Sequence, residues 1–223
     1  MRVLEAVARI VQLGGAPEQA ARVAEMRAAF EHRTGEFAPD DDWFEERSRA
    51  FWCDAVTHGR FGREVHDALT AEERVWLYPL ERSHRGLFRA EDGVLVDAWS
   101  GAEFVITVID DDSRAELAAA AGQLFDARVS ATYGIANDSV RSLVVALLPG
   151  AVFHPRDATV AIGPVLDAAR DRHLSTDHAL DALLRMERAL RSLSRVKAAY
   201  AYRPDALAPR VAGFERSPRD KRY

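Results

Sequence analysis

Cysteine is nearly absent from this chain of 223 residues, which contains only Cys53. A single thiol allows no intrachain disulfide, and it supplies too few ligands for a thiolate zinc centre or an iron–sulfur cluster. Cys53 falls inside a predicted helix beside Asp54, without the cation or helix N-terminus that activates a cysteine nucleophile. We therefore predict that Cys53 is a small buried apolar residue.

Long apolar runs are also missing. The longest wholly apolar run, 143–148, is far shorter than the roughly 20 residues with which a helix crosses a bilayer. Glu5 and Arg9 interrupt the N-terminal segment, where a secretory signal needs a continuous apolar stretch. We therefore expect a cytoplasmic protein that does not enter a membrane.

Positive charge is not in excess, since 30 Lys and Arg residues face 35 Asp and Glu residues. The net charge of −5 provides no overall field that would attract nucleic acid or an anionic membrane, so both partners are disfavoured. The local exception is 210–222, where five basic residues and two acidic ones leave a charge of +3. We interpret 204–223 as a flexible basic tail.

The sequence motifs of several large enzyme classes do not occur. The chain contains no phosphate-binding Walker loop, dinucleotide fingerprint, HExxH zinc motif or GxSxG nucleophile elbow. No cofactor is predicted, and the sequence assigns no catalytic residue directly.

Helical periodicity dominates the first part of the chain, 1–83. Apolar residues recur every three or four positions from Val3 to Val11, and Gly14 provides a stop. A second helix is predicted to end near Gly35, a third to be capped by the acidic run 40–42, and a fourth to begin with a capping box at Thr70.

The periodicity changes to that of strands in 84–155. Turn signals divide 86–109 into a three-stranded meander, and a short helix around 114–121 precedes two longer strands. The first of these, LFDARVSATY at 124–133, alternates apolar and polar residues, so one of its faces must be wet or lined by polar groups. Five strands predict a small antiparallel sheet or partial barrel.

Helices return in 156–203, with a long one that begins after Ser175 or Thr176. Its apolar residues recur at nearly heptad spacing, which indicates either an internal core stripe or packing against a second copy. The predicted fold class is therefore α+β, with an N-terminal helical layer, a central antiparallel five-stranded sheet or partial barrel, and C-terminal helices that pack on the rest. We expect 1–203 to form one cooperative unit. The apolar positions of the long helix are Leu183, Met186, Leu190, Leu193 and Tyr200.

One segment resembles a known family. In ALTAEERVWLYPLERSHRGLFRAEDGVLVDAWSGAEFVI a capped helix with EER leads to a strand, SHRGLF, and then to a hairpin, VDAWSGAE. Over about 68–160 this pattern is similar to the helix-to-barrel junction of bacterial proteins of the SEC-C-motif-containing type, whose barrel has no assigned activity. The resemblance implies a helical layer joined to a small barrel. The zinc-binding SEC-C motif itself is missing, because the chain ends FERSPRDKRY, so zinc and the partner recognition tied to it are not implied.

Two groups of residues offer metal-binding side chains. Asp54 and His58 stand four apart on one helical face, and His66 follows after a loop, so a carboxylate and two imidazoles could hold a divalent ion. The alternative is an exposed helix end with His58 near the negative end of its dipole, and we favour it. The acidic run 110–112 is better explained by a helix cap than by a calcium loop.

The segment LLPGAVFHPRDA, at 147–158, is the most ambiguous in the chain. His154, Arg156 and Asp157 follow a Pro-Gly break, and Arg128 would lie near them if its strand pairs with the one that ends at Leu148. Together these residues could bind an anion or transfer a proton. The alternative, which we favour, is a corner in which prolines turn the chain from sheet to helix.

Three functions remain open after these exclusions. The first is a non-catalytic interaction or regulatory protein that binds another protein or a second copy of itself. The second is a nucleic-acid-binding module, in which the small barrel and the basic tail bind RNA or single-stranded DNA. The third is an enzyme centred on His154. The residues predicted to contact a partner are Arg128, Tyr133, Arg141 and Arg156.

Overall fold

The computed structural model describes residues 3–91, 94–136, 140–154 and 176–191. Within them, helices come first, an antiparallel sheet follows, and a later helix packs against both. The predicted α+β class is confirmed. No helix in the described part of the chain is long and apolar enough to cross a bilayer. The predictions for 156–175, for 192–203 with Leu193 and Tyr200, and for the basic tail lie outside the described residues.

The N-terminal helices form where the apolar periodicity predicts them. Val3, Val7 and Ile10 make up the buried stripe of the first helix, and Gly35, with a φ of 96°, ends the second. The helices of this layer are α1 Val3–Gly14, α2 Ala20–Thr34, α3 Phe44–Val56, α4 Phe61–Glu64, α5 Ala71–Arg74 and α6 Leu77–Glu81, with 3₁₀ turns at Pro17–Gln19 and His66–Ala68.

The acidic run 40–42 does not cap α3, so that prediction is wrong. The residue at the N-cap position is Trp43, whose side chain makes no capping hydrogen bond. Asp41 instead accepts a hydrogen bond from the backbone N–H of Ala38 at 2.7 Å. The carboxylate thus stabilises the turn before the helix rather than the helix end.

The fourth helix, predicted to begin with a capping box at Thr70, is two short helices. The capping box between Thr70 and Glu73 is present, but α5 ends at Arg74 and α6 begins at Leu77. Proline suits the first turn of a helix because its missing N–H has no partner there. Pro79 therefore falls in a new helix instead of ending the old one.

The strands form one antiparallel sheet. Five of them follow the order β3-β2-β1-β4-β5, so the meander is confirmed, and a short sixth strand pairs with β4 at Phe125 and Asp126. The strands are β1 His84–Glu91, β2 Val94–Asp97, β3 Glu103–Val105, β4 Leu124–Ala136, β5 Val140–Leu147 and β6 Val152–Phe153.

The sheet curls into a half-barrel, as the sequence predicts. The backbone N–H groups of Thr107 and Val108 donate to the carbonyl of Val145 at 2.9 and 3.1 Å, and the N–H of Leu147 donates to Val108 at 3.0 Å. The chain that follows the edge strand β3 is therefore hydrogen-bonded to β5 at the opposite end of the strand order. These bonds draw the two edges of the sheet together.

The two faces of β4 look into different environments. Phe125, Ala127 and Val129 belong to the apolar core inside the half-barrel. Asp126 and Arg128, which alternate with them, lie on the other face and are only 5% and 8% exposed. The polar face is thus covered rather than wet, and a second apolar core fills the helical layer beside it.

A corner separates β5 from β6. β5 ends at Leu147, and Gly150 takes a φ of 110° before the chain pairs again with β4. A Cβ atom added at Gly150 would lie 2.6 Å from the carbonyl oxygen of Arg49 in α3. Glycine is required here because only its bare Cα fits both the backbone angle and the close approach to the helix.

Two helices complete the described structure, α7 Asp111–Ala119 and α8 Thr176–Arg191. Asp110 caps α7 by accepting hydrogen bonds from the N–H and the hydroxyl of Ser113 at 2.8 and 2.9 Å. α8 packs against α2 and β1. Every residue from Ala179 to Arg185 is buried, including Leu183 of the predicted stripe. In this part, α8 belongs to the interior of the chain.

Candidate functional site

Six charged side chains meet where the helical layer, the sheet and α8 come together. They come from five different elements; five of the six are buried, and the side chain of Arg33 is 29% exposed. We call them the buried ionic cluster; its members are Arg33, Asp54, Arg85, Asp126, Arg128 and Asp181.

Arg85 lies at the centre of the buried ionic cluster. Its Nε and Nη2 atoms donate to the two carboxylate oxygens of Asp126 at 3.0 and 2.6 Å, and Nη1 donates to Asp181 at 2.6 Å. Its side chain is only 6% exposed. The planar guanidinium holds one carboxylate in a two-bond fork and still has a donor for the next. Arg85 therefore joins β4 to α8.

Two further arginines extend the buried ionic cluster into the helical layer. Arg33 donates to Asp181 at 2.9 Å and to Asp54 at 2.5 Å. Arg128 donates to the other oxygen of Asp54 at 2.8 Å. Positive and negative groups thus alternate from β4 through β1, α8, α2 and α3 and back to β4.

The ion pairs determine the protonation states within the buried ionic cluster. Burial alone would raise the pKa of Asp181, but the guanidiniums of Arg85 and Arg33 outweigh burial and hold this pKa below its ordinary value. Burial alone would lower the pKa of Arg85, but Asp126 and Asp181 raise it well above its ordinary value. Both groups stay charged, so neither is suited to take or give a proton near neutral pH.

A cavity of about 20 Å³ lies against the buried ionic cluster. It is bounded by Cys53, Asp54, Arg85, Arg128 and Gly150, among others. A space of this size holds about one water molecule. Each of the three guanidiniums already has a carboxylate partner within the group, and Arg85 also lies 3.6 Å from the exposed Asp177, so no guanidinium is left to bind an added anion. The arrangement connects elements of the fold and leaves no room for a substrate.

Cys53 is buried in α3, as predicted. Burial raises the pKa of its thiol to about 12, despite the opposing effect of Arg128. We predict that Ellman's reagent will label this thiol at pH 8 at least a hundredfold more slowly in the native protein than in urea, because native thiolate is scarce and covered. Stopped-flow absorbance measures both rates, and native labelling within tenfold of the unfolded rate would contradict the assignment.

His154 lies at the end of β6 and is 0% exposed. Its N–H donates to the carbonyl of Leu124 at 2.9 Å, and its own carbonyl accepts from the side chain of Gln123. The pairing of β4 with β5 that would bring Arg128 near His154 is present. His154 is nevertheless not among the described residues that bound the cavity beside Arg128. Among the described residues, the His154 side chain therefore does not border the cavity that Arg128 borders.

Of the four residues predicted to contact a partner, only Arg128 has a side chain that the structure describes. Arg128 is buried and bound to Asp54, so its guanidinium is not presented at the surface. The side chains of Tyr133 and Arg141 lie outside the described part of the structure, as do Arg156 and Asp157.

The metal candidates Asp54, His58 and His66 do not form a site. α3 ends at Val56, so His58 is not on its helical face. Both oxygens of Asp54 accept hydrogen bonds from arginines, while the two histidines are exposed. Among the described residues, no group of three or more His, Cys, Asp or Glu side chains is placed to hold a metal.

The sequence did not predict the histidine–carboxylate pair of His84 and Asp97. His84 Nε2 lies 2.8 Å from Asp97 Oδ2, and the imidazole stacks on Phe104 with 5.3 Å between ring centroids. The other oxygen of Asp97 accepts hydrogen bonds from the N–H groups of Trp99 and Ser100. Burial alone would raise the pKa of Asp97, but the His84 and turn hydrogen bonds lower it. The pair stabilises the turn between β2 and β3.

Three of the six members of the buried ionic cluster were also missed. Asp126 and Arg128 were recognisable from the alternation of β4, but Arg33, Arg85 and Asp181 were not. The available signal was a charge within an apolar pattern, such as Asp181 in HALDALL. Such residues are rarely buried unless they are paired, and the partner of Asp181 in α2 stands 148 positions away.

Comparisons with protein-family models, curated proteins and solved structures found no match, so the resemblance to the SEC-C-motif-containing type stays a prediction.

Proposed function

We propose that this chain is a non-catalytic cytoplasmic protein of bacterial type that binds another protein through the surface of α5 and α6. The observation that carries the proposal is the exposure of Val75 and Tyr78. Each of these large side chains is 66% exposed, and they stand three residues apart where α5 gives way to α6. We call this surface the α5–α6 ridge.

Two concave surfaces adjoin the α5–α6 ridge, one at Val75 and one at Tyr78. One depression of about 420 Å³ is bounded by Glu72, Val75 and Trp76, among others. Another of about 410 Å³ is bounded by residues that include Arg74 and Tyr78. Exposed apolar side chains with hollows beside them offer both a contact surface and recesses for the side chains of a partner.

The composition of the α5–α6 ridge favours a protein partner. The guanidinium of Arg82 lies 5.4 Å from the centre of the Tyr78 ring, and Arg63 is held by Glu81 through two hydrogen bonds of 2.5 and 2.6 Å. Tyrosine and arginine are enriched among the residues that dominate binding energies at protein interfaces. Charged pairs around an apolar centre match the usual arrangement of interface rim and core.

The interior of the molecule supports a binding role over a catalytic one. The charges of the buried ionic cluster are used to hold five elements together, and its cavity holds about one water molecule. Cys53 is covered, and His154 does not share that cavity. The nucleic-acid alternative assigned a binding contact to Arg128, but the guanidinium of Arg128 is bound to Asp54 inside the fold.

Site-specific photo-cross-linking tests the proposal. A benzophenone amino acid is placed at Tyr78 and, as a matched control, at Val105, which is 62% exposed on the edge strand β3. We expect a discrete cross-linked protein from position 78 only. For that identified partner, Tyr78→Ser should weaken binding by about tenfold or more, since interface aromatics often contribute over 1 kcal/mol.

Self-association is measured in parallel by light scattering coupled to size-exclusion chromatography. A dimer that Tyr78→Ser dissociates and Val105→Ser does not would identify a second copy as the partner. Equal cross-linking from both positions, together with a monomer at every concentration, would refute the role of the α5–α6 ridge.

A further inference from the structure

One end of the half-barrel contains a cavity of about 320 Å³. Its walls come from β1 and β2, from the chain after β3, and from α7. Eight apolar residues and one arginine bound it; Leu95, Ile106, Ile109 and Leu117 are the largest apolar ones. Its volume is at the lower end of the range for small-molecule sites, and the mouth of a barrel is a usual position for them.

The space exists because α7 packs lightly on the sheet. Only Ser113 in this helix is buried, while Leu117 is partly buried against the half-barrel core. The neighbouring Ala118 and Ala121 are too small to fill the gap under the helix. Apolar walls therefore remain in contact with water, and an apolar ligand would gain free energy by covering them.

Among the residues that the structure describes, Arg114 is the one charged residue that bounds this cavity. It is exposed, and within the described part of the chain no ion pair or side-chain hydrogen bond engages its guanidinium. Two nearby acidic residues pair with groups other than Arg114. Asp110 accepts a hydrogen bond from Ser113 at the helix cap, and Glu116 binds Arg49 at 2.8 Å. Within the described part of the chain, the cavity thus combines an apolar interior with an exposed arginine that has no ionic partner.

We propose that the half-barrel cavity binds a small amphipathic carboxylate. Its alkyl chain occupies the space between Leu95, Ile109 and Leu117, and its carboxylate pairs with Arg114. Asp111 and Asp112 are exposed in the same helical turn; they weaken the attraction of Arg114 for any anion and disfavour a second negative charge on the ligand. A single negative charge on a short apolar chain is the chemistry that fits both the lining and the rim.

Calorimetric titration of the full chain with octanoate, octan-1-ol and acetate tests this inference. We expect one octanoate per chain and no measurable binding of acetate. Octanoate should bind about threefold to fivefold more tightly than the alcohol at low ionic strength, the range of an exposed ion pair. High salt should remove that preference, because it screens the pair.

Two variants separate the contributions of charge and cavity. Arg114→Gln should remove the preference for octanoate over octan-1-ol, whereas Arg22→Gln, at an exposed arginine of α2, should retain it. Ala118→Phe should abolish the binding of both ligands by filling the mouth. The proposal is overturned if wild-type protein binds octanoate no more tightly than the alcohol, if Arg114→Gln keeps the preference, or if Ala118→Phe still binds both.

The outcome is independent of the proposed protein interaction. Tyr78→Ser alters the α5–α6 ridge and leaves every residue of the half-barrel cavity in place. Octanoate should therefore bind this variant as it binds the wild-type chain, so a failure of either proposal can be recognised without the other.

Discussion

Replacing Arg85 by Met is expected to lower the free energy of unfolding by about 3–5 kcal/mol, the usual cost of removing one partner from a buried ion pair. The variant keeps most of the side-chain length but loses the fork to Asp126 and the donor to Asp181. Two buried carboxylates then lose their main counter-charge. The cost comes from those uncompensated charges more than from the lost attraction.

Urea titration followed by tryptophan fluorescence measures this cost, and Arg89→Met is the matched control. Arg89 lies on the same strand and pairs with Glu91 at 3.2 Å, but the two side chains are 44% and 52% exposed. Exposed pairs contribute about 0–1 kcal/mol. If Arg85→Met lowered the free energy of unfolding no more than Arg89→Met does, the buried ionic cluster would not hold the elements together.

The cost of Arg85→Met should also depend on pH. The folded pKa of Asp181 is depressed, so the stabilisation from its ion pairs is complete above the ordinary pKa of about 3.9 and is lost as the pH falls through the lower folded pKa. In the variant the largest opposing charge is gone while burial remains, so the pKa of Asp181 rises. The difference from the wild type should therefore be smaller at about pH 3.5 than at about pH 7. A constant difference would exclude Asp181 as its source.

The sequence predicted elements well wherever their pattern is local. The alternation in 124–133 predicts β4 and separates its polar residues from its apolar ones, and the box at Thr70 predicts the start of α5. The same alternation could not show whether the polar face is wet. Burial of Asp126 and Arg128 depends on Arg85, Asp54 and a helix far along the chain, and a single sequence carries no signal for such distant pairs.

The candidate sites were harder to predict than the fold, for the same reason. Asp54 could be recognised as a residue that carries a charge, but its partners Arg33 and Arg128 lie 21 and 74 positions away. The half-barrel cavity has no motif at all, since it arises from a gap beneath α7. The proposed role of Arg114 in binding follows from its position beside that gap, which the sequence does not show.

The buried ionic cluster and the corner after β5 meet at the same place. Gly150 bounds the small cavity beside Asp54 and Arg85, and its Cα faces α3 at Arg49 and Cys53. The corner therefore fixes how closely the sheet approaches the helix that carries Asp54. A distortion at Gly150 should disturb the packing between the sheet and the helical layer.

Gly150→Ala is accordingly expected to lower the free energy of unfolding by about 2–5 kcal/mol, the sum of backbone strain and overpacking. The new Cβ would lie 2.6 Å from the carbonyl oxygen of Arg49, a backbone atom that cannot rotate away, at a φ of 110°. Gly122→Ala is the matched control: its φ is 74° and nothing lies within 4 Å of the added Cβ. That variant should cost about 1–2 kcal/mol, from the left-handed backbone alone. The excess at Gly150, measured by the same urea titration, is the cost of separating the sheet from α3. Equal losses of unfolding free energy in the two variants would mean that an added Cβ fits at Gly150. The corner would then not set the distance between the sheet and the helix.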